Sequence, residues 1–405
     1  MLLNAFRRLF SNAQNRKARR ASSRPQLLQL ESRIVPATIT VLNTAASGAG
    51  SLDAAITQAN TTPGNDDIVF NTGLTGTITL AGVLPTIIGG AAGTLTITGP
   101  GASSLTIDAN KGNFSIFSID AGGNLTISGL TVSGAQITGN GGAFNNAGTL
   151  TVTNSTISGN TANGGGGGIF NAGGANLNIS NSTLSGNSAT NSGGGIFNAG
   201  TLTVNNSTIS TNTATLSRGG GIFNNSGATL TVSNSTLSGN SAANQGGGIY
   251  NTSNLTVTNS TLSGNTAGSS GGGIYNRSGT LNVTNSTLSG NTAGSSGGGI
   301  FNNSGTITLT NSTLSGNTAG GSGGGISNFG TLNIANTIIA NSTNGGDYAG
   351  GGTIGTNTNN LVEDGTLPAG TNNKTGDPRL GPLQNNGGPT FTMALGAGSA
   401  AIGAW

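Results

Sequence analysis

Apolar residues in this chain occur in runs of three to five positions that alternate with Thr, Ser or Asn, as in Leu150-Thr-Val152 and Leu202-Thr-Val204. Alternation at period two over so short a run is strand spacing, because a helix buries a stripe of period 3.6 over a longer stretch. The runs recur. Asn-Ser-Thr-(Ile/Leu)-Ser-Gly-Asn begins at Asn154, Asn181, Asn234, Asn259, Asn285 and Asn311, with a variant at Asn206 and a decayed copy at Asn336. Successive copies are 25 to 28 residues apart. A second phrase, Gly-Gly-Gly-Ile-(Phe/Tyr)-Asn, keeps that spacing, with Ile169, Ile196, Ile222, Ile249, Ile274, Ile300 and Ile326 in equivalent places and Ala143 as their precursor.

A repeat of about 26 residues with three short strands is too small for a propeller blade and fits one coil of a solenoid. The expected fold is all-β, a right-handed three-sheet parallel β-helix of about a dozen coils over roughly 80–370. At about 4.8 Å per coil it would be 55–60 Å long. Leu150, Val152, Ile157 and Ile169 and their equivalents form the inward column, and the intervening Thr and Ser face water. Asn160, Asn187, Asn240, Asn265, Asn291 and Asn317 are read as a structural ladder at turns, where stacked amides bond from coil to coil. Phe144, Phe170, Phe197, Phe223, Tyr250, Tyr275 and Phe301 form one aromatic column, read as packed.

Ser51 to Asn60 reads as a short amphipathic capping helix. Ser51 is the N-cap, Asp53 lies at the positive end of the dipole, and Leu52, Ala55, Ile56 and Ala59 share a face. Such a helix shields the exposed strand edge at the start of a solenoid. The chain then divides into a basic leader (1–37), the cap and degenerate coils (38–135), the regular array (136–341) and a Gly-, Asn- and Pro-rich flank (342–405). The net charge of +3 hides an asymmetry. Residues 1–37 hold eight basic residues and one acid, whereas the rest holds five basic residues and nine acids, a net of −4. The leader is read as flexible or removed, and its arginines lack the interleaved aromatics of a nucleic-acid surface. No segment has the run of about 18 apolar residues that spans a membrane.

The chain has 75 Gly, no Cys and no His. That excludes thiol chemistry, the usual zinc sites and the commonest general base. The Gly triplets lack the strand, Gly-x-Gly-x-x-Gly, helix context of a phosphate cradle and read as tight corners. Between Asp120 and Asp347 there is no Asp or Glu. Paired carboxylates for glycoside cleavage and carboxylate-bound Ca²⁺ are thus missing from the repeats. A polysaccharide-degrading enzyme would have to use flank or isolated residues such as Asp108, Asp120, Lys111 or Arg218. Asp66-Asp67, after Pro63-Gly64-Asn65, reads as turn chemistry. No cofactor, metal ligand set or catalytic residue is expected. Ice binding is a third reading, from the Thr-x-Thr rows. Thr149/Thr151, Thr201/Thr203, Thr229/Thr231 and Thr306/Thr308 are intact, but Asn interrupts the rows at Asn176/Asn178, Asn254, Asn282 and Asn333. No ice activity is expected.

Four segments carry family resemblances. The stretch Arg24 to Ala37, with Leu30-Glu31-Ser32-Arg33-Ile34-Val35-Pro36-Ala37, resembles the N-terminal Leu-Glu-x-Arg-x-x-Pro-Ala segment of many planctomycete surface proteins, which implies export. Ile39 to Phe70 is similar to the cap domain named for its Cys-Ser-Leu-Arg-Glu-Ala motif, with Gly50-Ser51-Leu52-Asp53-Ala54-Ala55 at that place. The array, with Gly167-Gly168-Ile169 and Ile157-Ser158-Gly159-Asn160, resembles the repeats of chlamydial polymorphic outer membrane proteins. Asp377 to Thr392 and Gly398 to Gly403 resemble the choice-of-anchor Q domain of bacterial surface proteins. Together these imply a secreted or cell-surface protein; the missing His and Cys and the carboxylate-free array point to a non-enzymatic, structural or adhesive role, with cell-surface polysaccharide or matrix as the candidate partner.

Overall fold

A computed structural model describes residues 36–90 and 93–402. They form an all-β parallel solenoid of about twelve turns, with one helix. A typical coil runs Thr149–Thr153, Thr156–Ser158, Thr161–Ala162 and Ile169–Asn171. Stacking these segments builds four sheets, here I to IV in that order, of 13, 12, 8 and 10 strands. The expected three sheets are joined by sheet III, whose two-residue strands are too short to show a period. Strands pair in parallel and in register, so like stacks on like: Leu150 on Leu177, Ile157 on Leu184, Ile169 on Ile196.

Leu150, Val152, Ile157, Ile169, Ile196, Ile222, Ile249, Ile274 and Ile300 are all fully buried in one continuous core. The coil turns because particular residues accept left-handed backbone. Asn154 and its equivalents have φ near 50° between sheets I and II, and Gly159 has φ 64° between II and III. In the Gly triplet, Gly246 has φ 69°, whereas Gly247 is needed for close approach. A Cβ on Gly247 would lie 2.5 Å from the carbonyl oxygens of Thr266 and Gly272 in the next coil.

Helix α1, Leu52–Thr61, has Ser51 as its N-cap, whose Oγ accepts from the Ala54 N–H at 3.2 Å. Its buried residues are Leu52, Ala55, Ile56 and Ala59. The solenoid begins earlier than residue 80: Thr38–Val41 is the first strand of sheet I, and α1 lies between it and the second, Asp66–Phe70. Asp66 is therefore in a strand and buried, not in a turn. Its Oδ1 accepts from the Ala37 N–H at 2.9 Å, and its Oδ2 has no partner among the described residues. Most of the leader lies outside the described residues, but Ala37 already belongs to the first rung, its carbonyl accepting from Asp67.

At the far end, Thr371 and Lys374 add a last parallel rung to Thr358 and Leu361 before the chain folds back. Leu380 pairs with Leu395 and Gln384 with Thr392, both antiparallel. The tip of this hairpin reaches sheet II, where Thr261 Oγ1 donates to the Phe391 carbonyl at 2.6 Å and Thr390 Oγ1 to the Asn259 carbonyl at 3.2 Å.

Candidate functional site

The ladder asparagines lie at the turns between sheets II and III with their side chains inside the wall. Asn160, Asn187, Asn240, Asn265, Asn291 and Asn317 are buried. Asn240 shows the pattern: its Nδ2 donates to the Ile209 carbonyl and Asn265 Oδ1, both at 2.9 Å. Its Oδ1 accepts from the backbone N and Nδ2 of Asn212 at 3.0 Å. All four of its hydrogen-bonding positions are used. Asn212 belongs to this ladder although Thr211 replaces the usual Gly before it. A second buried ladder runs Asn146, Asn171, Asn198, Asn224, Asn251, Asn276, Asn302 and Asn328, each Nδ2 donating to the next Oδ1 at 2.7–3.0 Å. It was legible as the last letter of the Ile-Phe-Asn phrase. These amides are spent on the wall and offer nothing to a ligand.

The aromatic column starts one coil later than the sequence suggested. Phe144 pairs with Ile169, is fully buried and stacks on Phe117, so it is the core precursor that Ala143 was taken to be. The stripe proper, Phe170, Phe197, Phe223, Tyr250, Tyr275 and Phe301, stands on the outer side of sheet IV. Consecutive centroids are 4.9–5.1 Å apart and the planes differ by 5–19°. Phe329, 55% exposed, ends the row with a 43° tilt. The faces of the inner rings are occupied by one another.

The four residues weighed as enzyme candidates are dispersed. Asp108 ends a strand of sheet II, its Oδ1 accepting from the Asn110 N–H, and Lys111 follows in a turn at φ 62°. Asp120 is exposed beyond Phe117–Ile119 of sheet IV. Arg218 is several coils away in the array, in a groove of about 490 Å³ lined by Arg218, Phe223, Asn225, Tyr250, Thr252 and Arg277, among others. Its Cζ lies 5.2 Å from the Tyr250 centroid, and its Nε is buried with no partner among the described residues. Burial raises the Tyr275 hydroxyl above its ordinary range and Tyr250 adds to the rise, while Arg218 and Arg277 oppose it.

A separate groove of about 530 Å³ contains Asp347, Glu363 and Asp364 beside Asn341. Burial pushes the Asp347 carboxyl up. Burial also acts to raise Asp364, but hydrogen bonds from Thr366 Oγ1 and the Asp347 and Thr366 N–H groups outweigh it and hold that carboxyl low. No Lys or Arg lines this groove. Among the described residues no three Asp or Glu side chains converge as a metal-ligand set, and no helix is long and apolar enough to cross a membrane.

Residues 97–262 match the family described as the right handed beta helix region. The handedness of the solenoid enters with that match. No curated protein matches the chain. Among solved structures, the catalytic domain of a family GH87 α-1,3-glucanase, as a variant with one aspartate replaced by alanine and in complex with nigerose, aligns at 14% identity over 78% of this chain and 68% of that one, with a TM-score of 0.41. A PL6 family alginate lyase aligns at 14% identity over 88% of this chain and 55% of that one, with a TM-score of 0.39.

Proposed function

We propose that the chain is an exported, non-enzymatic surface or extracellular protein whose solenoid has a structural or adhesive role toward cell-surface polysaccharide or matrix. One observation carries this reading: acids and bases occupy different grooves. Asp347, Glu363 and Asp364 share a groove without a Lys or Arg, and Arg218 and Arg277 share one without a carboxylate. A lyase that pairs carboxylates with a basic residue would need both in one groove, and neither groove has both; in the acidic groove the Asp347 and Asp364 carboxylates each accept from the other's backbone N–H instead of being left free to flank a glycosidic bond. The resemblances of the leader, cap, repeats and C-terminal segment to bacterial surface proteins support export and display. The rival reading, a polysaccharide-degrading enzyme, draws on the raised carboxyl of Asp347 beside the lowered one of Asp364, a pairing that acid–base catalysts use. Incubation with neutral and uronate polysaccharides decides between them. Retention of the chain on a polysaccharide without new reducing or unsaturated ends is expected, and release of such ends overturns the proposal.

A further inference from the structure

The repeat shows what each column holds by default, and neighbouring coils depart from it together. In the column before the Gly triplet, Ser192, Ser270, Ser296 and Ser322 are the ordinary occupants, and Arg218 and Gln245 stand between them. In the stripe on sheet IV, Phe gives way to Tyr only at Tyr250 and Tyr275. In the column after the second ladder, Ala172, Ala199, Asn225, Thr252 and Asn303 surround Arg277. These departures fall within 218–277, and Arg218 and Arg277 are the only basic residues between Lys111 and Lys374.

We infer that this groove binds an acidic glycan, its carboxylate or sulfate groups held by Arg218 and Arg277 and its hydroxyls by the Asn225 amide and by the accepting hydroxyl oxygens of Thr252 and of Ser278, which also lines the groove. The assignment rests on the polysaccharide-facing role proposed above and gives it a site and a charge. Two guanidiniums line the groove and no acid does. Asp347 sits about three coils beyond Arg277, roughly 14 Å along the axis, farther than charges act through physiological salt. The partnerless Nε of Arg218 is a buried donor of the forked kind that matches an anionic oxygen pair. Arg218 and Arg277 are two coils apart, about 10 Å along the axis, so the groove suits a chain bearing repeated charges. A neutral sugar recognised by stacking would need an open ring face, and Tyr250 has Phe223 on one side and Tyr275 on the other. Nucleic acid is disfavoured for the same reason, since single strands bind by stacking bases on free aromatic faces.

Calorimetric titration of the full chain with a short oligogalacturonate, its methyl-esterified form and single-stranded DNA tests this. The acid form should bind, salt should weaken it, and the ester should not bind. Arg277→Gln changes an exposed residue, should keep the thermal midpoint, and should lower affinity about tenfold. Arg218→Gln with Arg277→Gln should lower it about a hundredfold, and Arg218→Lys, which keeps charge but not the fork, should fall between. Unchanged affinity in the folded double variant, equal binding of the ester, or tighter binding of DNA overturns the inference. Polysaccharide retention that survives the double variant would discard this groove and leave the adhesive role standing. Loss of all polysaccharide binding by the unaltered chain would discard both.

Discussion

At the scale of single residues, the wall is held by side chains whose every polar atom is committed. Asn240→Ala would strand the donors of Asn212 and the carbonyl of Ile209 inside the wall. Each buried unmet group costs about 1–3 kcal/mol, so a loss of about 4 kcal/mol is expected in urea unfolding. Thr211 presents the opposite case. It has φ 53° in a place where Gly159, Gly186, Gly239, Gly264, Gly290 and Gly316 stand in other coils. A β-branched residue is strained there, and its Oγ1 bond to the Ser210 carbonyl offsets only part of that. Thr211→Gly should therefore stabilise the protein by about 1 kcal/mol; an unchanged or lower urea midpoint would show that the coil relaxes around the threonine. The same substitution explains a limit of sequence reading, because Thr211 broke the phrase and hid Asn212 from the ladder. Chemical type misled in the other direction at Phe144, which was grouped with the aromatics although its place after Gly141-Gly142-Ala143 aligns it with Ile169.

Among the elements, the strands of sheets I, II and IV were legible because their apolar residues repeat in kind as well as in period. Sheet III was not, since Thr161–Ala162 and its equivalents offer a single inward Ala and no alternation to detect. Helix α1 was visible through its cap and apolar face, and its role rests on Ser51. Ser51→Ala should cost about 1 kcal/mol, seen as a lower thermal midpoint, and Ser51→Thr, which keeps both the acceptor for the Ala54 N–H and the donor to the Gly48 carbonyl, should restore most of it. The fold-back of the C-terminal hairpin had no sequence signal, because it depends on two threonine hydroxyls meeting carbonyls some 130 residues away. Where it lies, Thr261 and Thr287 are buried, while their equivalents Thr183, Thr208 and Thr236 stay partly exposed. Thr261→Val should release the hairpin and speed tryptic cleavage after Arg379 several-fold with the far-UV spectrum unchanged; an unaltered digestion rate would mean the hairpin is held elsewhere.

For the molecule as a whole, charge is confined to the ends and to one groove, and this governs its response to pH. Between Asp120 and Asp347 there is no Asp, Glu or His, so these coils contain no side chain that titrates between about pH 5 and 9. Stability changes with pH only where folded and unfolded chains bind different numbers of protons, and over that range these coils bind the same number in both. The C-terminal acids act in opposite senses. The low carboxyl of Asp364 contributes stability present above its unfolded value of 3.8 and lost as pH falls toward its folded value. The raised carboxyl of Asp347 favours the fold only while protonated, and that benefit is lost as pH rises from 3.8 through its folded value. At the alkaline side, the raised hydroxyls of Tyr275 and Tyr348 keep their full contribution below about pH 10 and lose it above. Because a solenoid opens locally, these regions are separable by amide hydrogen exchange. Protection free energies for amides of sheet I from Leu150 to Leu309 should be level from about pH 5 to 9, while those around Asp347 and Asp364 vary on acidification. A slope within the array across that window would require a titrating group that the coils do not contain, and would show that the ends unfold together with the middle.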